Sequence, residues 1–178
     1  MIFKPTDLPG AFVIEPQRKE DFRGYFARTF CEKEFAALGL ETHIAQCSVS
    51  FNQRKGTLRG MRYQVAPFEE VKVVRCIRGA IFDVIIDLRR NSPTFKKHLV
   101  VELDERNGKT LYVPAGFAHG FQTLAANSEV LYQMSQYYSA DHARGSAGMI
   151  LRSPYLGRRT RERFLSETKI AEILNKNQ

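Results

Sequence analysis

The stretch that decides the fold is residues 71–88, VKVVRCIRGAIFDVIIDL. Valine and isoleucine dominate it, and the Arg78-Gly79 pair interrupts it near the middle. Because β-branched residues are typical of strands and glycine marks turns, we predict strands over Val71–Ile77 and Ala80–Leu88 that are antiparallel neighbours. The run Val84–Leu88 is almost continuously apolar, which favours a strand covered on both faces by a barrel interior or a partner subunit.

On either side of this stretch, short apolar runs and turns continue from about residue 45 to residue 135. The Asn-Gly pair within Asp104–Lys109 predicts a hairpin. Helical patterns are limited to two short peripheral segments, Glu32–Leu38, which Gly39 ends, and Glu167–Asn175. The sequence therefore predicts a mainly β barrel or sandwich that dimerises. The other predicted strands are Leu99–Leu103, Thr110–Val113 and Glu129–Ser135.

The composition fits one soluble domain. Apolar residues make up 43% of the 178-residue chain, enough for one core, and no repeat or linker divides the sequence. We therefore expect a single domain over residues 1–178. The three cysteines are widely spaced, which fits a reducing compartment. With no signal-like or membrane-spanning apolar run in view, the expected location is the cytoplasm, and no membrane partner is expected.

The chain is basic, with a formal net charge of +8 and a pI near 9.6, so it attracts anions at long range. Part of the excess lies in the run Arg158–Arg163, which we interpret as a solvated surface turn. Specific nucleic-acid binding also needs exposed stacking aromatics or a recognised motif, and we find neither. The charge alone does not choose among nucleic acid, an acidic membrane and a phosphorylated small molecule, and of nucleic-acid binding we predict only a weak, salt-sensitive, nonspecific form.

The common catalytic signatures are missing from the sequence. The four histidines, His43, His98, His119 and His142, form neither an HxH pair nor an HExxH motif, so we expect no catalytic metal. A GxSxG elbow, a Walker loop and a GxGxxG fingerprint are also lacking. General acid–base chemistry is the remaining class.

Four ordered motifs carry a more specific signal, and they lie within roughly residues 1–150. Together they resemble the dTDP-4-dehydrorhamnose 3,5-epimerase family, the RmlC-like sugar epimerases. The resemblance implies a cupin-type jelly-roll β-barrel with short peripheral helices, a homodimer, no cofactor, no metal, and a nucleotide-diphosphate-linked 4-keto-6-deoxyhexose whose C3 and C5 protons exchange. The motifs are DFRGYF at 21–26, KGTLRGMRYQ at 55–64, VKVVRCIRG at 71–79 and YVPAGFAHGF at 112–121.

The resemblance also implies catalytic roles. Lys72 matches the lysine that faces the keto oxygen, where its charge would stabilise an enolate. Tyr132 matches the acid that returns a proton, and His119 matches a second histidine beside the sugar. Each has a structural alternative: Lys72 as a surface lysine, Tyr132 as a core aromatic, and His119 as a hydrogen-bond hub in a turn.

Binding residues follow from the same resemblance. Arg59 matches a pyrophosphate contact, and Arg23 a second contact that reaches over from the partner subunit; guanidinium suits phosphate oxygens. Weaker matches to ligand-lining positions are Phe26, Gln46, Gln64 and Tyr138, although a glutamine beside a strand also serves as a backbone partner.

The chain departs from the family pattern at three places. Arg62 stands where the family has its histidine base, and arginine stays protonated and cannot act as a base. Leu151–Pro154 stands where the family has the Trp-Asn-Asp-Pro stretch that supplies the carboxylate behind that histidine. Arg28 replaces a glutamate that helps to hold the nucleotide, so the nucleotide need not contain thymine.

Three functions fit these observations. The first is an epimerase or isomerase acting on a nucleotide-linked 4-ketosugar, with His119 or Tyr132 as the base and Arg62 adding positive charge at the enolate. The second is a catalytically silent barrel that still binds a nucleotide-sugar through Arg23 and Arg59. The third is a different isomerase or dehydratase in which Arg62 binds an additional carboxylate or phosphate.

Overall fold

A computed structural model describes residues 1–145 of the chain, which form thirteen strands and one short helix. The first half contains the short strands β1 (Ile2–Pro5), β2 (Phe12–Glu15), β3 (Lys19–Asp21) and β4 (Gly24–Phe26), helix α1 (Glu32–Ala36), and strands β5 (Gln46–Asn52) and β6 (Leu58–Gln64). The second half contains β7 (Lys72–Arg78), β8 (Ala80–Asp87), β9 (His98–Asp104), β10 (Thr110–Val113), β11 (Phe117–Thr123), β12 (Ser128–Met134) and β13 (Ala143–Gly145). The prediction of a mainly β chain is confirmed.

Two antiparallel sheets make up the body of the described region. One has six strands in the order β1-β2-β10-β7-β12-β5, and the other has five in the order β13-β6-β11-β8-β9. Strands β3 and β4 form a separate two-stranded hairpin. Consecutive strands therefore often lie in different sheets, and the chain crosses repeatedly between the two layers.

Two predicted pairings are wrong. Strands β7 and β8 follow each other across Gly79, yet β7 pairs with β10 and β12, whereas β8 pairs with β9 and β11. The Asn-Gly turn likewise joins β9 to β10 across the two sheets and does not form a hairpin. Gly79 and Gly108 do adopt positive φ, as turns require. A turn signal specifies that the chain reverses, but not which sheet receives the next strand.

The main core fills the space between the two sheets. It contains alternate residues of facing strands, among them Val74, Ile85 and Phe121, all fully buried. On the other face of β8, Val84 and Ile86 are also buried and pack with Met61 and Ala118. The expectation that this strand is covered on both faces is confirmed.

Helix α1 begins at Glu32 as predicted but ends at Ala36, two residues earlier than predicted. Gly39 follows with a φ of +67°. The helix holds Phe35 fully buried against Phe3, Phe30 and Tyr112. The predicted helix Glu167–Asn175 and the basic run Arg158–Arg163 lie outside the described residues.

Candidate functional site

A cavity of about 390 Å³ lies between the two sheets, a size typical of small-molecule sites. Its walls come from β5, β7 and β12 of one sheet and from β6 and β11 of the other. Eight of the ten site residues expected from the sequence line it: Gln46, Arg59, Arg62, Gln64, Lys72, His119, Tyr132 and Tyr138.

Strand register explains why these side chains meet. Lys72 lies opposite Met134 and Tyr132 opposite Val74, so both point to the inner face of the six-stranded sheet. In the other sheet, which forms the facing wall of the cavity, Arg62 of β6 is the register partner of His119 of β11. The pairing of β6 with β11 shifts between His119 and Phe121, and such an irregularity turns a strand locally. Arg59 and Arg62 can therefore both line the cavity, although they are three residues apart.

The close approach of these two strands also depends on glycine. A Cβ atom on Gly120 would lie 2.7 Å from the carbonyl oxygen of Arg59, and a Cβ on Gly60 would lie 2.6 Å from the Cα of Gly120. Both distances are too short for a side chain, so only glycine fits at either position.

The best-defined polar pair in the cavity wall is His119 with Asp83. Nε2 of His119 lies 2.7 Å from Oδ1 of Asp83, and both side chains are buried. Burial raises the pKa of Asp83, while the neighbouring His119 and Lys72 act to lower it. Within the described residues, Oδ2 of Asp83 has no hydrogen-bond partner. With the carboxylate ionised, Nε2–H donates to it and Nδ1 keeps a lone pair, as a general base requires.

Lys72 is 8% exposed and forms a second buried pair. Its Nζ atom lies 2.9 Å from Oε1 of Glu70 and donates a longer hydrogen bond, 3.4 Å, to the carbonyl oxygen of Arg62. Glu70 also lines the cavity. The ammonium group is thus held at the cavity wall by a carboxylate and a carbonyl, and it is not the surface lysine of the alternative interpretation.

Tyr132 lies beside His119, with ring centroids 5.8 Å apart and planes at 77°. Burial first, and the charge of Asp83 second, raise the pKa of Tyr132 far above its ordinary value. The phenol therefore stays protonated and can donate a proton across the whole physiological pH range.

The two cavity arginines differ in their partners. Nε of Arg59 donates to Oδ1 of Asn52 at 3.0 Å, which orients the guanidinium. The side chain of Arg62 is exposed and makes no hydrogen bond or ion pair with residues 1–145. An arginine without a protein partner is available to a ligand anion.

The two glutamines have backbone partners. The side chain of Gln64 bonds the backbone of Phe68, Tyr137 and Ser139, and Gln46 accepts from the amide of Tyr138. Both brace the segment around Tyr138 at the cavity wall, as the structural alternative for a glutamine beside a strand proposed.

Arg23 and Phe26 do not line the cavity. They lie on the β3–β4 hairpin, and both side chains are about three-quarters exposed, at 75% and 73%. Nη2 of Arg23 contacts Asp21 at 2.7 Å, and Phe22 at the tip is 97% exposed. Arg28 also lies elsewhere, paired with Glu34.

Sequence reasoning missed Asp83 and Glu70. Asp83 interrupts the apolar run of β8, and a charged residue in a fully buried strand needs a partner, so this signal could have been used. Glu70 precedes β7 in a polar turn and gives no such signal. In residues 1–145 no group of three His, Cys, Asp or Glu side chains is placed to hold a metal ion, and none of the helices there is long and apolar enough to cross a membrane.

The two facing antiparallel sheets and the cavity between them define a cupin-type jelly-roll protein with an internal cavity that ionisable side chains line. The family model for dTDP-4-dehydrorhamnose 3,5-epimerase matches residues 5–163, and the chain belongs to this family. The four-motif resemblance is thereby confirmed.

Three relatives illustrate the similarity. The dTDP-4-dehydrorhamnose 3,5-epimerase of Sinorhizobium fredii is 43% identical over 145 residues, which cover 82% of this chain and 74% of that protein. The crystal structure of the Bacillus anthracis enzyme, with TDP and PPi bound, has a TM-score of 0.79 at 37% identity and covers 89% of this chain and 93% of that one. The Legionella pneumophila enzyme in complex with dTDP-4-keto-L-rhamnose has a TM-score of 0.77 at 33% identity, covering 83% and 78%.

Proposed function

We propose that this protein is a cofactor-independent epimerase that exchanges protons next to the ketone of a nucleotide-linked 4-keto-6-deoxyhexose, in deoxysugar biosynthesis. The observation that carries the proposal is one cavity that brings together the ammonium of Lys72, the buried pair His119–Asp83 and the partly buried phenol of Tyr132. A cation, a base and an acid are what enolate chemistry next to a ketone needs. Family membership supports the substrate class.

Nucleotide binding is assigned to the arginines. Arg59, held by Asn52, would take the pyrophosphate, since guanidinium forms paired hydrogen bonds with phosphate oxygens. Two solved relatives hold TDP with PPi and dTDP-4-keto-L-rhamnose, respectively, which supports an anionic nucleotide ligand. Tyr138 at the cavity wall would contact the nucleotide side of the ligand.

A homodimer completes this site in the proposal. Arg23 and Phe26 extend from the body on the β3–β4 hairpin and would enter the cavity of the partner subunit. Strand β5 is an edge strand of the six-stranded sheet, and its outer face exposes Val49 and Phe51 at 56% and 51%. An edge strand with exposed apolar side chains is a surface that a second copy would cover. We place the dimer in the cytoplasm.

The proposed reaction begins with loss of a carbon-bound proton. Nδ1 of His119 takes the proton, with Asp83 stabilising the imidazolium that forms. The electron pair of the broken C–H bond moves to the keto oxygen, where Lys72 and the permanently charged Arg62 stabilise the enolate. Tyr132, whose ring contacts that of His119, then donates its proton to the carbon, and solvent restores both groups.

The test is deuterium incorporation from deuterated water into dTDP-4-keto-6-deoxyglucose, measured by mass spectrometry for the wild-type protein and for Lys72→Ala. We expect incorporation by the wild type above a protein-free blank, and loss of roughly 100-fold or more in the rate for Lys72→Ala with dTDP affinity kept. Lys97→Ala, an exposed lysine away from the cavity, is the matched control. Equal incorporation by wild type and Lys72→Ala would refute the proposed role of the cavity.

A further inference from the structure

Glu70 is a carboxylate in the cavity that the proposed reaction does not yet use. Its side chain is 9% exposed, and its Oε1 atom lies 2.9 Å from Nζ of Lys72. It lines the same cavity as His119 and Tyr132. A carboxylate that accepts only one strong hydrogen bond keeps lone pairs for a proton.

Glu70 and Tyr132 lie on different sides of Lys72 in the order of the chain. Tyr132 lies opposite Val74, and Lys72 is two residues closer to the start of β7, opposite Met134. Glu70 lies two residues before that strand begins. The ring of His119 contacts that of Tyr132. We infer from this order that the His119–Tyr132 pair and Glu70 flank Lys72.

This order matches the chemistry of a 4-ketosugar. If Lys72 binds the keto oxygen, the two carbons that can lose a proton, C3 and C5, flank the carbonyl carbon in the same way. A base must lie within hydrogen-bond reach of the proton that it removes. A group on one side of Lys72 is therefore placed to serve one carbon, and a group on the other side is placed to serve the second.

We propose that Glu70 is the second base of this site and acts on the carbon that His119 does not reach. This inference rests on the proposed function. In the step, the Glu70 carboxylate takes the proton and becomes a carboxylic acid, and the electron pair of the C–H bond moves to the keto oxygen held by Lys72. Water then protonates the same carbon, and the hydroxide that remains takes the proton of the Glu70 carboxylic acid, which restores the carboxylate. Arg62 stays protonated and cannot act as this base, so the role falls to a carboxylate elsewhere in the cavity wall.

The competing explanation is that Glu70 only positions Lys72 through their ion pair. The two roles differ in one observable. A positioning residue acts on the keto oxygen, which is shared by both enolates, so its loss slows exchange at C3 and C5 alike. A base acts on one carbon, so its loss slows exchange at that carbon alone.

The experiment is proton NMR of dTDP-4-keto-6-deoxyglucose in deuterated water, following the C3 and C5 signals separately with wild type, Glu70→Gln and Glu70→Asp. We expect wild type to exchange both protons, and Glu70→Gln to lose roughly 100-fold or more at one carbon while the other stays within about 3-fold. Glu70→Asp should restore part of the lost rate. Glu69→Gln, the exposed neighbour, is the matched control, and dTDP affinity of every variant verifies folding.

Equal slowing at both carbons would overturn the assignment in favour of a positioning role, and unchanged exchange in Glu70→Gln would overturn it outright. Exchange of only one proton by the wild type would do the same, because a single base would then suffice. Exchange of neither proton by the wild type would refute the proposed epimerase function itself, and with it the role of Glu70.

Discussion

Nε2 of His119 lies 2.7 Å from Oδ1 of Asp83 at the wall of the cavity, and the aspartate is completely buried. The short distance fixes one nitrogen of the imidazole toward the carboxylate and leaves Nδ1 for a ligand. A carboxylate in this position holds the tautomer and orientation of the imidazole and stabilises the imidazolium that forms when a proton is taken up. The proposed function therefore assigns the role of base to this pair, since position 62 is an arginine.

Asp83→Asn tests this pairing. The amide no longer stabilises an imidazolium, so we expect kcat of epimerisation to fall roughly 100-fold or more while the Kd for dTDP changes little. Burial makes the charged carboxylate costly, so the neutral asparagine should not unfold the protein. Rates and calorimetric binding are the measurements, with the exposed Asp7→Asn as control. An undiminished kcat would show that Asp83 has no part in catalysis.

Tyr132→Phe separates proton removal from proton return. Without the phenol, His119 still removes a proton and can return one to the position that it left, but the separate acid is missing. We expect inversion of configuration to fall roughly 100-fold or more, while deuterium exchange with retention persists. Product stereochemistry and exchange, both read by NMR, give the two rates. Inversion at the wild-type rate would exclude Tyr132 as the acid.

The raised pKa of Tyr132 also predicts a pH dependence. Burial keeps the phenol protonated in the folded state while pH rises through about 10, the ordinary tyrosine value. Inversion by the wild type should therefore not decline near that pH through ionisation of this residue. Stability should decline there, because the unfolded chain loses the proton that the folded chain keeps.

Arg59→Ala tests the nucleotide site. Loss of a paired guanidinium–phosphate contact should raise the Kd for dTDP roughly 10- to 100-fold and weaken its salt dependence. Arg59→Lys should restore little, since an ammonium lacks the paired donors. Arg90→Ala removes an exposed arginine outside the cavity and serves as the control in titration calorimetry. An unchanged Kd would place the pyrophosphate elsewhere.

Asp87→Asn tests a structural carboxylate at the end of β8. Burial by itself would raise the pKa of Asp87, but hydrogen bonds from Arg89, Ser92 and Thr94 outweigh it and hold the pKa well below its ordinary value. The depressed pKa stabilises the fold above about pH 4, the unfolded value, and that stability is lost as pH falls below it.

We expect Asp87→Asn to cost about 3 kcal/mol at neutral pH and to flatten the acid side of the stability profile. Denaturant unfolding at several pH values measures both effects. A variant as stable as wild type at pH 7, with the same acid profile, would contradict this account of Asp87.

Local sequence patterns predicted where the strands begin and end better than they predicted which strands pair. Strand β10 begins and ends as predicted, and β7, β8, β9 and β12 differ by only one residue at one or both ends, because alternation and turn residues are local signals. The partners of β7 and β8 could not be obtained in the same way. A hairpin within one sheet and a crossover between two facing sheets show the same alternation of buried side chains. The turn at Gly79 therefore does not distinguish between them.

For the site, similarity to the family motifs predicted eight of the residues that line the cavity, including Lys72 and Tyr132. Motif similarity could not indicate Glu70, because its contact with Lys72 depends on the conformation of the loop before β7 and not on the spacing of residues in the sequence. It also implied Arg23 as a contact from the partner subunit, and Arg23 lies on the exposed β3–β4 hairpin, outside the cavity of its own chain. A residue contributed by a partner gives no signal in the register of its own chain.

Proton NMR of the wild-type protein with dTDP-4-keto-6-deoxyglucose in deuterated water distinguishes turnover from binding alone. We predict that the C3 and C5 signals both disappear faster than in a protein-free blank, with His119 and Asp83 supplying the base in a chain that has an arginine at position 62. Persistence of both signals at the blank rate, while dTDP still binds, would contradict the prediction and make this cavity a nucleotide-sugar binding site without turnover of this substrate.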